Sequence, residues 1–244
     1  MHKMKHILLI VCLSSCLTNT FAQALNSLSK KEQRQGWELL FNGKNLDGWL
    51  SVRQQTTPER GWTVENGILT VNKGGAQRGG DIITKKMYSE FELYFEFRLT
   101  KAANGGLKYL FSNYENGGWL GNEYQVLDDD FHPDARAGRD GNRKTASLYD
   151  VFPVTGKKQM KPTGEWNSGR IVLIGSIVKH YLNGKLVLTY DLKSADYAEA
   201  VKLSKFNNVK PMFGSVSEGY ILLQDHADEV SYRNIKIIDK KSKL

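Results

Sequence analysis

Hydrophobic and polar positions alternate along much of the chain. Phe91–Leu99 is the clearest case. Phe91, Leu93, Phe95, Phe97 and Leu99 fall on one face, and Glu92, Tyr94, Glu96 and Arg98 on the other. A period of two predicts a strand with one buried face. Trp37–Phe41 stops at Asn42-Gly43. Gly61–Val64 and Ile68–Val71 flank Glu65-Asn66-Gly67, and Ile177–Tyr181 and Leu186–Tyr190 flank Leu182-Asn183-Gly184-Lys185. Asn-Gly suits the positive φ values of a short hairpin turn, so both pairs predict hairpins. Leu107–Phe111, Glu123–Leu127 and Ile171–Gly175 add further strands. Near the C-terminus, Gly219–Ile237 ("GYILLQDHADEVSYRNIKI") reads as two strands joined by a tight turn.

Helical spacing is rare. In the middle of the chain only Ala195–Ser204 places Tyr197, Ala200, Val201 and Ser204 near one face. Strands and helices do not alternate as a parallel sheet requires. The prediction is an all-β fold, an antiparallel β-sandwich or jelly roll with one short helix, formed as one domain over residues 36–239. Before it, residues 25–35 are polar and suit a tether or short helix. After it, residues 240–244 form a basic tail. The polar stretch from Asp128 to Gly169 is long for a loop, which marks it for function. Ala146–Tyr149 within it predicts a short strand returning to the sheet.

The first residues depart from this pattern. Lys3 and Lys5 precede the apolar run Ile7–Leu13, and Ala22-Gln23-Ala24 resembles a cleavage site, so residues 1–24 read as a signal peptide. A rival reading is a lipoprotein signal ending before Cys16, with a lipid on that cysteine as the one membrane link. Either implies export across an inner membrane, to the periplasm or to an outer-membrane anchor. Cys12 and Cys16 are the only cysteines. The processed chain therefore has no disulfide and no thiol nucleophile.

Composition narrows the classes further. Of 244 residues, 40% are hydrophobic and 11% aromatic, enough for a packed core. The formal charge of +8 comes from scattered lysines rather than an Arg-rich block, so no nucleic-acid partner is expected. The histidines beyond the leader, His132, His180 and His226, show no metal-binding spacing, and no thiol ligands remain, which disfavours zinc.

Candidate chemistry comes from polar groups inside strands. Glu123 and Gln125 share one face, with Tyr124 and Val126 on the other. In the last segment Tyr220, Leu222, Gln224 and His226 alternate with Ile221, Leu223 and Asp225, and Arg233 follows. A sheet that gathers Glu123, Gln125, Gln224, His226 and Arg233 has a carboxylate, two amides, an imidazole and a guanidinium to grip hydroxyls and move protons. Each residue also has an ordinary reading: Glu123 as a solvated strand residue, His226 as a turn group, Arg233 as the partner of Glu229 or Asp225. Asp128-Asp129-Asp130 reads as a turn rather than a calcium loop.

Several blocks occur in order: "LFNGKNLDGW" (40–49), "GWTVENGILTV" (61–71), "FELYFEFRL" (91–99), "NGGLKYLF" (104–111), "NEYQVLDD" (122–129), "GEWNSGRIV" (164–172), "YLNGKLV" (181–187), "SKF" (204–206) and the closing segment. Together, over residues 36–238, they resemble the 3-keto-disaccharide hydrolase domain family. That resemblance implies a concanavalin A-like jelly roll and a small carbohydrate substrate, a glycoside whose ring carries a ketone at C3. Such a ketone acidifies the C2 proton. One base, with donors or a cation for the enolate oxygen, then suffices to expel the C1 substituent, and water adds back. His226 is the first choice as base or acid and Glu123 the second. Gln125, Gln224, Arg233 and Lys108 would bind hydroxyls or the enolate, and Asp225 would orient His226. Trp119 and Trp166, with Tyr124 or Tyr149, would stack on the sugar. The resemblance fixes no cofactor; a divalent metal in place of the donors is an alternative, with Glu123 and His226 as its ligands. One departure is Asn104-Gly105-Gly106, where the family resemblance leads one to expect Asn-Ser-Gly. Alternatives are a non-catalytic carbohydrate-binding module, a domain that only packs on another protein, and a laminarinase-like hydrolase. The last needs Glu-x-Asp-x-x-Glu, which Glu123 and Gln125 do not supply.

Overall fold

The computed structural model describes residues 24–74 and 78–241. The leader up to residue 23, including Cys16, and residues 242–244 of the basic tail lie outside the described residues. Among the described residues no helix is long and apolar enough to cross a membrane.

The polar N-terminal stretch forms helix α1 (Lys30–Gln35). Ser29 caps it: its hydroxyl accepts from Glu32 N at 3.2 Å, and the Glu32 carboxylate accepts from Ser29 N at 2.8 Å. Among the described residues thirteen strands follow, with one more α-helix. They are β1 (Glu38–Leu39), β2 (Trp49–Ser51), β3 (Trp62–Glu65), β4 (Ile68–Val71), β5 (Ile82–Thr84), β6 (Phe91–Leu99), β7 (Asn104–Tyr114) and β8 (Gly118–Leu127). After the long loop come β9 (Asn167–Ile174), β10 (Ile177–Leu182), β11 (Lys185–Asp191), helix α2 (Ala195–Lys202), β12 (Tyr220–Leu223) and β13 (Val230–Asp239).

All pairings are antiparallel and make two sheets. The larger runs β11-β10-β9-β6-β13-β4-β3, with β1 also on β13; the smaller runs β2-β5-β12-β7-β8. This is the predicted sandwich. The core lies between the sheets. Phe91, Leu93, Phe95, Phe97 and Leu99 are buried as their alternation requires, each stabilising the fold by about 1.5–3 kcal/mol. Tyr109, Tyr124, Tyr190 and His180 meet there. His180 Nδ1 donates to the Ala146 carbonyl at 3.0 Å, and its Nε2 accepts from the Tyr109 hydroxyl at 2.8 Å. Burial pushes this imidazole down to about 4, so it stays neutral. Helix α2 forms where predicted, capped by Ser194 and anchored by buried Tyr197 and Val201.

The closing segment differs from the predicted hairpin. β12 lies between β5 and β7 in the smaller sheet, while β13 lies between β6 and β4 in the larger one. Residues 224–229 cross from sheet to sheet. Asp225 fixes the crossing: its Oδ2 accepts from Gly79 N at 3.0 Å and Gly80 N at 2.8 Å, and its own N–H donates to Asp81 at 2.9 Å. Ala227 then turns the chain at φ 63°. Polar residues interrupt the apolar pattern here because they end one strand and tie it to the β4–β5 connection.

Candidate active site

The outer face of the smaller sheet carries the polar cluster. On β8, Tyr124 and Val126 point into the core, which turns Glu123 and Gln125 outward. Strand pairing sets Lys108 opposite Glu123, Gly106 opposite Gln125, and Leu222 opposite Lys108. Gln224 continues from β12 and donates its N–H to Gly106 O at 3.0 Å. Gly106 has a steric reason: a Cβ there would lie 2.1 Å from Gln224 Oε1 and 2.8 Å from Glu123 Oε1. The two side chains converge over bare backbone. Gly105 faces the other way, and a Cβ there would lie 3.1 Å from the Tyr232 hydroxyl. The hydroxyl missing from the Asn-Gly-Gly block is therefore absent from the core, not from the site.

These groups line a cavity of about 210 Å3, together with Asn104, Tyr149, Lys205, Phe206 and His226. Tyr149 arrives from the long loop. Ala146–Tyr149 runs beside β8 as predicted, with an antiparallel bridge between Leu148 and Tyr124. Gln125 N donates to Ser147 O, Ala146 N to Gln125 O, and Tyr149 N to Glu123 O.

Glu123 is the centre of the site. It is 7% exposed, its Oε2 lies 3.7 Å from Lys108 Nζ, and it accepts from Gln224 Nε2 at 3.3 Å. Burial pushes its carboxyl above the ordinary value; Lys108, then His226 and Lys205, oppose the rise without cancelling it. A carboxylate so placed is a stronger base than one in water. Gln224 Oε1 and Asn104 Oδ1 are buried and have no hydrogen-bond partner among the described residues. Buried acceptors of this kind are costly, and both can accept a hydrogen bond from a sugar hydroxyl. Lys108 supplies a partly buried cation, and His226 stands exposed at the rim.

Glu123, Gln125, Lys108, Gln224 and His226 thus share one hollow. Four expected partners do not line it. Arg233 donates its Nε to Glu96 at 2.6 Å on the outer face of the larger sheet. Trp166 lies there too, 4.1 Å from the Arg233 guanidinium and 4.8 Å from that of Arg98. They miss the cavity because β13 belongs to the other sheet. Asp225 points away from His226 into the crossing. Trp119 is on the smaller sheet but stacks on Phe111 at 5.4 Å and leans on Tyr220, beyond the cavity wall. Asn104, Lys205 and Phe206 were not expected as site residues. Lys205 sits on an irregular loop, where no periodicity points to it, and only the "SKF" block drew notice to it. Among the described residues, no three His, Cys, Asp or Glu side chains converge as metal ligands. Glu123 and His226 face one cavity, but no third ligand joins them, and Lys108 takes the near side of the carboxylate.

Comparison with known proteins follows the same outline. The family model described as "3-keto-alpha-glucoside-1,2-lyase-like domain" matches residues 36–238. A 3-keto-disaccharide hydrolase of Bacteroides thetaiotaomicron is 35% identical over 241 residues, covering 88% of this chain and 82% of the relative. Two solved Parabacteroides distasonis proteins, described only as candidate glycosyl hydrolases, share the fold. One has a TM-score of 0.77 at 28% identity, covering 88% of this chain and 99% of that one. The other has a TM-score of 0.62 at 26% identity, covering 83% and 98%. The chain belongs to the 3-keto-alpha-glucoside-1,2-lyase-like domain family.

Proposed function

We propose that the protein is an enzyme that cleaves glycosides whose sugar ring bears a ketone at C3. Family membership supports glycoside cleavage, and the site supports the manner of it. The carrying observation is Glu123: one buried carboxylate of raised pKa at the floor of a sugar-sized cavity, facing a lysine. Ordinary glycosidases flank the scissile bond with two carboxyl groups. Among the described residues, Glu123 is the only acidic side chain lining this cavity.

Glu123 abstracts the C2 proton, which the neighbouring ketone has made acidic. Lys108 stabilises the negative oxygen of the enolate. Gln224 and Asn104 accept hydrogen bonds from ring hydroxyls and hold C2 over the carboxylate. The substituent at C1 is then expelled, and addition of water completes net hydrolysis. His226, expected as first choice for the base, becomes a rim group: it is exposed, whereas Glu123 is enclosed and primed.

The test is incubation of purified protein in heavy water with a 3-keto-disaccharide and, separately, its unoxidised parent. Cleavage of the ketone alone with deuterium at C2 is the expected result. Cleavage of the parent, or of the ketone without label, rules out elimination. Binding without cleavage of either makes the domain a carbohydrate-binding module.

A further inference from the structure

Two lysines face Glu123, and the chemistry so far uses one. Lys205 follows α2 on a loop, where its N–H donates to Asp150 Oδ2 at 2.8 Å. Its ammonium rests 4.3 Å from the centre of the Tyr149 ring and 5.2 Å from that of Phe206. The residue as a whole is exposed, but the packing around its ammonium draws the pKa down, against the attraction of Glu123. A lysine with a lowered pKa is a better proton donor than one in water.

Lys205 also borders a second cavity, of about 360 Å3. Leu120, Lys205 and Phe206 line both cavities, so the two share a wall. The second opens between the β7–β8 turn and the loop after α2. Asn116 holds these together: its Nδ2 donates to Asn208 O at 2.6 Å, and its Oδ1 accepts from Lys210 N at 2.7 Å. Leu120, Phe206 and Val209 give it apolar surface, and Asn208 gives it a polar rim. That combination suits a sugar ring, which has one apolar face and an edge of hydroxyls.

Resting on the reading above, we propose that the first cavity holds the keto sugar and the second the leaving group, with Lys205 between them donating a proton to the departing glycosidic oxygen. Glu123 takes the C2 proton, and the C–H electron pair becomes the enolate. As C3=O re-forms, C1=C2 forms and the C1–O pair leaves on the glycosidic oxygen. That oxygen takes a proton from the Lys205 ammonium. Water then adds: its oxygen bonds to C1, its spare proton returns to Lys205, and Glu123, whose proton has meanwhile exchanged with solvent, protonates C2. One water is consumed, and both side chains end as they began.

The test compares leaving groups. Lys205→Met is assayed on a 3-keto-disaccharide, whose sugar alkoxide needs a proton, and on 4-nitrophenyl 3-keto-glucoside, whose phenolate does not. The expected loss in kcat/KM is about 100-fold on the disaccharide and less than about fivefold on the phenyl glycoside. Equal losses on the two, or none on the disaccharide, overturn the assignment. Val209→Trp, which fills the second cavity, is expected to lower the disaccharide-to-phenyl ratio of kcat/KM by about tenfold or more in a normally melting protein. An unchanged ratio overturns the subsite. Wild-type inactivity on both keto substrates overturns the parent reading; wild-type activity with equal Lys205→Met losses overturns this one alone.

Discussion

Two carboxylates on the two sheets face cations, and they behave oppositely. Glu96, on the outer face of the larger sheet, accepts from Arg233 at 2.6 Å, Asn234 at 3.1 Å and the Tyr94 hydroxyl at 3.0 Å. Burial pushes its pKa up, yet those hydrogen bonds outweigh burial and hold it below the ordinary value of 4.5. Glu123, on the smaller sheet, has an ammonium at 3.7 Å and one amide at 3.3 Å. There burial wins. The lesson is that proximity to a positive charge does not make a carboxylate inert. The number and directness of donors decides, and an under-satisfied carboxylate retains the basicity that a reaction can use.

The comparison can be broken at its strongest point. Glu123→Gln keeps the shape and removes the carboxylate proposed as the base. We expect kcat to fall by about 1,000-fold or more, with thermal stability unchanged or raised because a buried charge is gone. Survival of activity would move the base elsewhere. Lys108→Met removes the chief charge that lowers the Glu123 pKa. The acid limb of the pH profile should therefore move to higher pH, and kcat/KM should fall by roughly 100-fold. An acid limb that stays in place would mean that Glu123 is not the titrating group.

On the other sheet the effects should appear in stability alone. Arg233→Ala breaks the Glu96 pair and the Trp166 contact, and we expect a loss of about 2 kcal/mol in urea unfolding, since both side chains keep some water contact. Its kcat/KM should stay within about twofold; a large loss would return Arg233 to the reaction. Glu96→Gln should have the smallest effect. A carboxylate with a lowered folded pKa adds stability that is present above pH 4.5 and lost as pH falls through the folded value. The variant should therefore unfold with a flatter acid dependence, and an unchanged slope would show that Glu96 is not held down.

Much of the fold was legible. The alternation of β6 and β8 fixed which residues face inward, and so put Glu123 and Gln125 outward on one strand. Arg233 is close to His226 in sequence but lies on the other sheet, so nearness along the chain does not bring it to the site. In a sandwich, one crossing of six residues moves the chain to the other sheet, and the polar run that makes the crossing looks like a hairpin turn. Asp225 was misassigned for the same reason: its partners, Gly79 and Gly80, lie far away in sequence. Lys205 was invisible because loops carry no period, and its position depends on Asp150 and Tyr149, which the sequence does not link to it.

The strip Ala146–Tyr149 lies along the free side of β8, held by a few main-chain bonds. A last strand normally offers its bare rim to any passing chain, and this strip covers that rim. The covering also brings Tyr149 to the carboxylate. Relatives could therefore acquire new tastes by rewriting this strip and its flanking loop, while the sheets beneath keep their register and Glu123 keeps its seat.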